Sequence, residues 1–221
     1  MSKRPISMNY VIKKESGYKY IVGGDIVFGL FKKNKKKEAE SGEQMAGADL
    51  KILQDLINDV FPGIAIFVRD VNLQPACAVK YTQGLIVHER GFTDASCRVG
   101  GLFTTHRFAI LSNHIGNISM FEHGTNWGLC MAKSGAHFKV LDVYEYQGKT
   151  QITLLHLPDD ERWKLFINTE ISIEKGLVDE CRSRFREKCS EEPIPELCTE
   201  EWLKRCSFPL GMDENGILFD L

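Results

Sequence analysis

The sequence lacks long apolar runs, an excess of charge of either sign, and a signal-peptide core. No window reaches the roughly 18 apolar residues that a membrane-spanning helix needs. Residues 1–14 contain no apolar stretch of the kind that directs secretion. The formal net charge of −2 offers no general attraction for nucleic acid or an anionic membrane. We therefore expect a soluble cytoplasmic protein without a membrane or nucleic-acid partner.

Paired cysteines are also missing. The seven cysteines are an odd number and include no CxxC pair, which fits neither a disulfide framework nor a zinc ribbon. We expect reduced thiols, most of which serve as small apolar core residues.

Nucleotide and hydrolase motifs are absent as well. The sequence contains no GxxxxGK[ST], GxGxxG, HExxH or GxSxG pattern. No motif therefore assigns an activity, and whether the chain is an enzyme is left open.

The composition is that of a folded domain. The 221 residues are 43% hydrophobic and 26% charged, close to average globular usage. We predict one domain over residues 1–221, with a helical C-terminal subregion at 158–221. The lysine-rich and then acidic stretch at 32–47 has almost nothing to bury, and we predict that it forms a mobile charged loop.

Periodicity predicts an α+β fold. Alternating apolar residues around turns indicate a strand at 8–13 and hairpins at 18–31, 76–89 and 137–157. An i, i+3, i+7 apolar stripe predicts a helix near residues 49–61, and residues spaced by four predict helices after Pro158. The expected architecture is a mostly antiparallel mixed sheet built from hairpins, with one packed helix and a helical C-terminal segment.

The segment 137–157 has the clearest local pattern. A two-residue turn at Gln147-Gly148 would place Tyr146 opposite Lys149 and Leu141 opposite Leu154. We interpret this ribbon as scaffold for the more polar segment before it.

Residues 106–137 carry the candidate site. Four histidines lie in this range, and neutral imidazole is a suitable ligand for zinc, iron or manganese. The sequence therefore suggests a divalent transition metal as cofactor, without fixing which one. The candidate metal ligands are His106, His114, His123 and His137.

The same segment could support acid/base or nucleophilic chemistry. The candidate catalytic residues are His114, His123, Glu122 and Cys130. Cys130 lies in the apolar run WGLCM, however, where a buried inert thiol is the ordinary outcome.

Polar and aromatic neighbours complete the hypothesis. A short helix opened by Ser112 or Asn113 would put His114 and Asn117 on one face. The candidate ligand-binding residues are Asn113, Asn117, Asn126 and Trp127.

Two function classes remain. The first is a binding or regulatory role with a protein or small-molecule partner, which requires no motif that the sequence lacks. The alternative is a histidine-dependent, metal-dependent hydrolase with its site in residues 106–137. The sequence is also compatible with an oligomer.

Overall fold

The computed structural model describes residues 10–14, 19–23, 26–29, 52, 55–167 and 169–221. The charged loop predicted at 32–47 lies outside these residues. Residues 49–51, 53 and 54 of the helix predicted at 49–61 also lie outside the described residues. Residues 55–60 are described and helical, and they are called α1.

Twelve strands and three further helices are described. The strands are β1 (Tyr10–Lys14), β2 (Lys19–Gly23), β3 (Ile26–Gly29), β4 (Ala65–Val71), β5 (Ile86–Glu89), β6 (Thr93–Ser96), β7 (His106–Ser112), β8 (Gly116–Asn117), β9 (Leu129–Ala132), β10 (Ala136–Tyr146), β11 (Lys149–His156) and β12 (Thr169–Ile171). The helices are α2 (Pro75–Ala78), α3 (Ser172–Lys188) and α4 (Glu200–Arg205), with 3-10 turns at Ser119–Phe121, Glu161–Phe166 and Pro195–Cys198.

The strands form two sheets. The larger has the order β5-β10-β11-β7-β4-β6-β9-β8, and the smaller has the order β12-β1-β2-β3. Every pair is antiparallel except β11 with β7, which run parallel. The predicted α+β class is confirmed, with a mixed and mostly antiparallel sheet and a helical C-terminal segment.

Both faces of the large sheet are covered. On one face, Phe108, Ile110 and Leu154 pack with Tyr81 and with the C-terminal tail through Leu210 and Met212. On the other, Leu111 and Leu155 pack with α1, the 3-10 turn at Glu161–Phe166, and α3. A smaller cluster joins the β9 loop to α4. Loops that leave the sheet ends therefore lie beside a rigid, two-sided core.

The β10–β11 hairpin forms as predicted at its turn and departs from the prediction further along. Tyr146 pairs with Lys149, and Gln147 and Gly148 both have positive φ, as a two-residue hairpin turn requires. A bulge after Val140 then shifts the register by one residue, so Val140 rather than Leu141 faces Leu154.

The hairpin predicted at 76–89 is wrong. Residues Pro75–Ala78 form a helical turn, because Pro75 suits the first helical position and Ala78 N–H donates to the carbonyl of Gln74. Strand β5 pairs with β10 instead. No helix in the described part of the chain is long and apolar enough to cross a membrane.

Candidate functional site

Two adjacent charged residues on β4 face opposite sides of the large sheet. Asp70 stands opposite Arg107 of β7, while Arg69 stands opposite Phe108. The Arg107 guanidinium donates to both carboxylate oxygens of Asp70, each at 2.7 Å, in a buried bidentate pair. This pair satisfies both charges inside the fold.

Arg69 is buried to a similar degree and has no such partner. Its side chain is 4% exposed. Nη1 donates to the carbonyl of Asp94 at 3.1 Å and Nη2 to that of Phe208 at 3.2 Å. Its Nε has no hydrogen-bond partner among the described residues, and no carboxylate of that part of the chain forms an ion pair with it. The Asp94 carboxylate is held by Arg205 instead, at 2.8 Å.

A cleft of about 500 Å³ opens over Arg69. Strand β4 supplies its floor, the turn after β5 one wall, and α4 with the C-terminal tail the other. The lining residues are Arg69, Glu89, Gly91, Phe92, Arg205, Phe208, Pro209, Leu210, Met212, Asp213, Glu214, Asn215 and Phe219.

The tail that forms one wall is held closely. Tyr81 donates its hydroxyl to the Leu210 carbonyl at 2.7 Å. Gly211 has φ +75°, and a Cβ there would lie 2.4 Å from Val87, so only glycine allows this approach to β5. The wall is therefore built into the fold.

The cleft combines charges of both signs with exposed rings. Glu89 is fixed by two backbone N–H groups, from Gly91 to Oε1 and from Gly211 to Oε2, both at 2.9 Å. Phe92 and Phe208 expose 65% and 59% of their surface at its rim. Such a site offers cationic donors, a fixed carboxylate and aromatic faces.

A second polar cluster lies where the parallel strands β7 and β11 end. The ring centroids of His114 and His156 are 3.9 Å apart. Asp159 Oδ1 lies 3.9 Å from His156 Nε2 and 4.0 Å from His114 Nε2. The ligand atoms of these three residues all lie within 4.8 Å of one another. Asp159 Oδ2 pairs with Lys133 Nζ at 2.7 Å.

The His156 ring is buried and held by Ser112. The Ser112 hydroxyl lies 2.9 Å from His156 Nδ1 and also accepts the backbone N–H groups of His114 and Ile115, each at 3.1 Å. Its opposite nitrogen, Nε2, has no hydrogen-bond partner in the described part of the chain. Burial and the neighbouring His114 lower the pKa of His156 to about 3. Burial also lowers the pKa of His114.

The structure does not gather the four histidines predicted as metal ligands. His106 begins β7, about 20 Å along the strand from the end where His114 follows. Its Nδ1 lies 2.8 Å from the Thr105 hydroxyl. His137 is stacked between His88 and Trp163, at centroid distances of 4.6 and 4.2 Å. His123 is exposed on the loop before β9.

Two of the predicted catalytic residues have local structural contacts. Glu122 accepts the backbone N–H groups of Trp127 and Leu129 and the Thr125 hydroxyl. Burial raises the pKa of Glu122, and these hydrogen bonds outweigh it, so the pKa is lowered overall. For Cys130, burial and the neighbouring Cys97 raise the pKa of the thiol to about 12. A thiol in that state stays protonated at neutral pH.

The predicted ligand-binding residues have contacts within the protein. Asn113 donates to the carbonyl of Asp59, Asn117 accepts from Ser119, and Asn126 donates to Glu196. Trp127 is buried against Trp202. Residues 112–118 form no helix, because Gly116–Asn117 pairs with β9 as β8. These assignments stay predictions.

Sequence reasoning missed Arg69, His156 and Asp159. An arginine in the apolar strand AIFVRDV is a detectable signal, since an arginine is rarely fully buried without a partner. His156 ends a strand of similar character, TLLH. Asp159 had no such signal, since an aspartate after Pro158 is ordinary turn chemistry.

Comparison with known proteins adds remote structural likeness. No protein-family model matches this sequence, and no curated protein matches it. Several solved structures do. The type III effector XopAI from Xanthomonas axonopodis pv. citri is 18% identical at a TM-score of 0.39, over 42% of this chain and 41% of the effector. Exoenzyme S from Pseudomonas aeruginosa, bound to carba-NAD and in complex with human 14-3-3 protein beta, is 14% identical at a TM-score of 0.37, over 54% of this chain and 60% of that protein.

The ADP-ribosyltransferase Vis from Vibrio splendidus is also similar. It is 15% identical at a TM-score of 0.36, over 57% of this chain and 64% of Vis. The matched part of this chain covers less than two thirds of the length of each of these three proteins. At such TM-scores the likeness assigns no activity to this chain.

The comparison corrects the functional expectation. The similar structures are described as an ADP-ribosyltransferase, an exoenzyme and a type III effector, and none is described as a binding protein, a regulator or a hydrolase. The predicted binding or regulatory role and its hydrolase alternative have no counterpart among these structures, and neither is proposed again. The expected binding role rested on the absence of motifs, and an absent motif carries no positive information about chemistry.

Proposed function

We propose that the chain is a group-transfer enzyme that takes a nucleotide as co-substrate in the Arg69 cleft. The observation that carries this proposal is the buried Arg69 guanidinium, which lines the cleft without a carboxylate partner in the described part of the chain. A buried charge is costly unless an opposite charge accompanies it. The planar guanidinium matches the geometry of a phosphate as well as that of a carboxylate.

The rest of the cleft suits a nucleotide. Arg205, whose guanidinium pairs with Asp94, lines the cleft on the α4 side. Phe92 and Phe208 present exposed rings on which a base can stack, an arrangement that contributes about 1–3 kcal/mol per base. A volume of about 500 Å³ falls within the usual range for small-molecule sites.

Glu89 gives the cleft a chemical role. Two backbone N–H groups fix its carboxylate in place. Cleavage of a glycosidic bond develops positive charge on the sugar, and a preorganised carboxylate stabilises that charge. In the proposed step, the bond from ribose C1 to the ring nitrogen breaks and the ring leaves with the electron pair. A nucleophile on the acceptor then bonds to C1 and releases its proton.

NAD is the first co-substrate to test, since exoenzyme S was solved with carba-NAD and Vis is described as an ADP-ribosyltransferase. Binding is measured by calorimetry on the wild type and on Phe92→Ala and Phe208→Ala. Both rings are exposed, so the fold should survive. We expect each change to weaken NAD binding about five- to tenfold, the equivalent of a lost stacking contact.

Phe103→Ala is the matched control. This ring is 57% exposed and does not line the cleft, so its removal should leave NAD affinity unchanged. Equal affinity in all four proteins, or no NAD binding at millimolar concentration, would overturn the cleft as the nucleotide site.

The transfer step is tested separately with labelled NAD. Agmatine, which one Vis structure contains, serves as the first acceptor, and labelling of the chain itself is measured alongside. We expect transfer by the wild type and loss of at least about a hundredfold in Glu89→Gln, the scale of removing one electrostatic stabiliser. NAD binding without transfer to any acceptor would support the cleft as a nucleotide site and contradict the proposed transfer reaction.

The remaining sequence predictions fit beside this proposal. A cytoplasmic site of action agrees with seven free cysteines.

A further inference from the structure

The cluster at the ends of β7 and β11 has the composition of a metal site. It contains two imidazoles and one carboxylate, the donor set of many divalent transition-metal centres. Because β7 and β11 run parallel, with Leu111 beside Leu155, residues that follow both strands emerge at the same sheet edge. The pairing of these two strands therefore brings His156, the last residue of β11, close to the turn after β7 that carries His114.

An unpartnered buried atom points into this cluster. His156 is 1% exposed, and its Nε2 has no hydrogen-bond partner in the described part of the chain. Buried polar atoms are almost always satisfied, so an exception calls for an explanation. The Asp159 carboxylate faces this nitrogen at 3.9 Å, which is beyond hydrogen-bond distance.

The spacing is close to that of a coordinated ion. Ligands of a tetrahedral zinc ion lie about 3.3 Å apart, because each is about 2.0 Å from the metal. The observed separations are 3.9 Å and 4.0 Å from Asp159 to the two Nε2 atoms. Shifts of a few tenths of an ångström in each side chain would close these two separations. The two imidazoles, which are stacked with their planes 26° apart, would also have to turn so that both Nε2 atoms point at one ion. The side chains of His114 and Asp159 are 33% and 35% exposed, so an ion can enter from solvent.

The outer contacts also have the form seen around metal ligands. Metal-bound histidines usually donate their other N–H to a neighbouring acceptor. The Nδ1 atoms of His156 and His114 lie 2.9 Å from Ser112 Oγ and from Asn113 Oδ1, respectively. When a metal occupies Nε2, each ring has its hydrogen on Nδ1. For His114 this hydrogen is directed to the Asn113 oxygen. For His156 the Ser112 oxygen would have to accept it in place of one of the two backbone N–H groups that it accepts in this structure.

We propose that His114, His156 and Asp159 bind one divalent first-row transition-metal ion, with Lys133 as the group that competes for the Asp159 carboxylate. The coordination set leaves at least one position open for water or another ligand. This site shares no residue with the Arg69 cleft, so it stands independently of the proposed function.

Lys133 gives the proposal a specific signature. Its ammonium pairs with Asp159 Oδ2 at 2.7 Å and is otherwise mostly exposed. A bound cation would be repelled by this ammonium. Lys133→Ala should therefore tighten metal binding several-fold, whereas removal of a lysine would leave adventitious surface binding unchanged.

The experiment uses the full chain freed of metal with a chelator. Zn²⁺, Co²⁺ and Mn²⁺ are titrated separately by calorimetry, and the Co²⁺ absorption spectrum reports the coordination number. We expect one ion per chain, and at least about tenfold weaker binding in His114→Ala and Asp159→Asn. Both residues are partly exposed, so the variants should fold. The matched control is His123→Ala, which removes an exposed histidine of the same region and should leave affinity unchanged.

Three results would overturn the site. They are no binding of any of the three ions, equal affinity in the wild type and His114→Ala, and a loss in His123→Ala as large as that in His114→Ala. Each result is independent of NAD affinity, which the same proteins should retain.

Discussion

Arg107 and Arg69 are two buried arginines on neighbouring strands, and they differ in their partners. Arg107 donates two hydrogen bonds to Asp70, while Arg69 contacts only carbonyl oxygens. The first arrangement is complete within the fold. The second leaves a guanidinium without a carboxylate partner, among the described residues, at the floor of a cleft. The comparison teaches that burial alone does not mark a functional charge, whereas burial without a counter-charge does.

The largest expected effect tests the paired arginine. Arg107→Ala leaves the Asp70 carboxylate buried and uncompensated, which should lower the free energy of unfolding by about 3–5 kcal/mol. Urea denaturation measures the loss. A decrease below about 1 kcal/mol would show that the pair does not hold the sheet together, and the contrast with Arg69 would fail.

The second prediction extends the comparison to a buried histidine. The native state keeps His156 neutral because its pKa is lowered to about 3, while the unfolded chain takes up a proton below about pH 6.5. The unfolded state thus binds more protons between these values, and stability falls as the pH decreases through this window. Its steepest slope is about 1.4 kcal/mol per pH unit.

The pH dependence is checked by urea unfolding at pH 6.5 and 5. The groups that face the ring are His114, Asp159 and Lys133. His106, His114 and His137 also have lowered pKa values and contribute in the same direction. His156→Gln should therefore reduce the slope without abolishing it. An unchanged slope in this variant would assign the effect to the other histidines.

The third prediction tests the unpaired arginine. Arg69→Met removes two hydrogen bonds to carbonyls, at about 1 kcal/mol each, but also removes a buried charge without a partner. The net loss in unfolding free energy should be about 1 kcal/mol, well below that of Arg107→Ala. Pyrophosphate should raise the melting temperature of the wild type and leave that of Arg69→Met unchanged. An equal rise in melting temperature in both proteins would show that Arg69 does not bind the anion.

The smallest expected effect serves as a baseline. Arg162 forms ion pairs with Asp160 and Asp59 at the surface, where all three side chains are well exposed. Exposed pairs contribute little, so Arg162→Ala should cost less than about 1 kcal/mol, and added salt should reduce the difference. A loss of unfolding free energy equal to that of Arg107→Ala would show that burial does not decide how much these ion pairs stabilise the fold.

The sequence by itself determined the elements whose causes are local. The β10–β11 turn forms at Gln147-Gly148, where both residues have positive φ and Gly148 adopts it without strain. The apolar stripe predicted α1, of which residues 55–60 are described. The α+β class followed from such patterns. Local chemistry also explains one error, since Pro75 favours a helical first turn over the strand that the apolar residues suggested.

Only the tertiary structure decided the sites. Ser112 and His156 are 44 residues apart and meet because β7 and β11 pair in parallel. Arg69 and Arg107 differ because alternation along β4 directs Asp70 to one face and Arg69 to the other. The physical reason is that pairing and burial depend on which strands become neighbours. Residue types state what a side chain can do, and long-range packing decides what it meets.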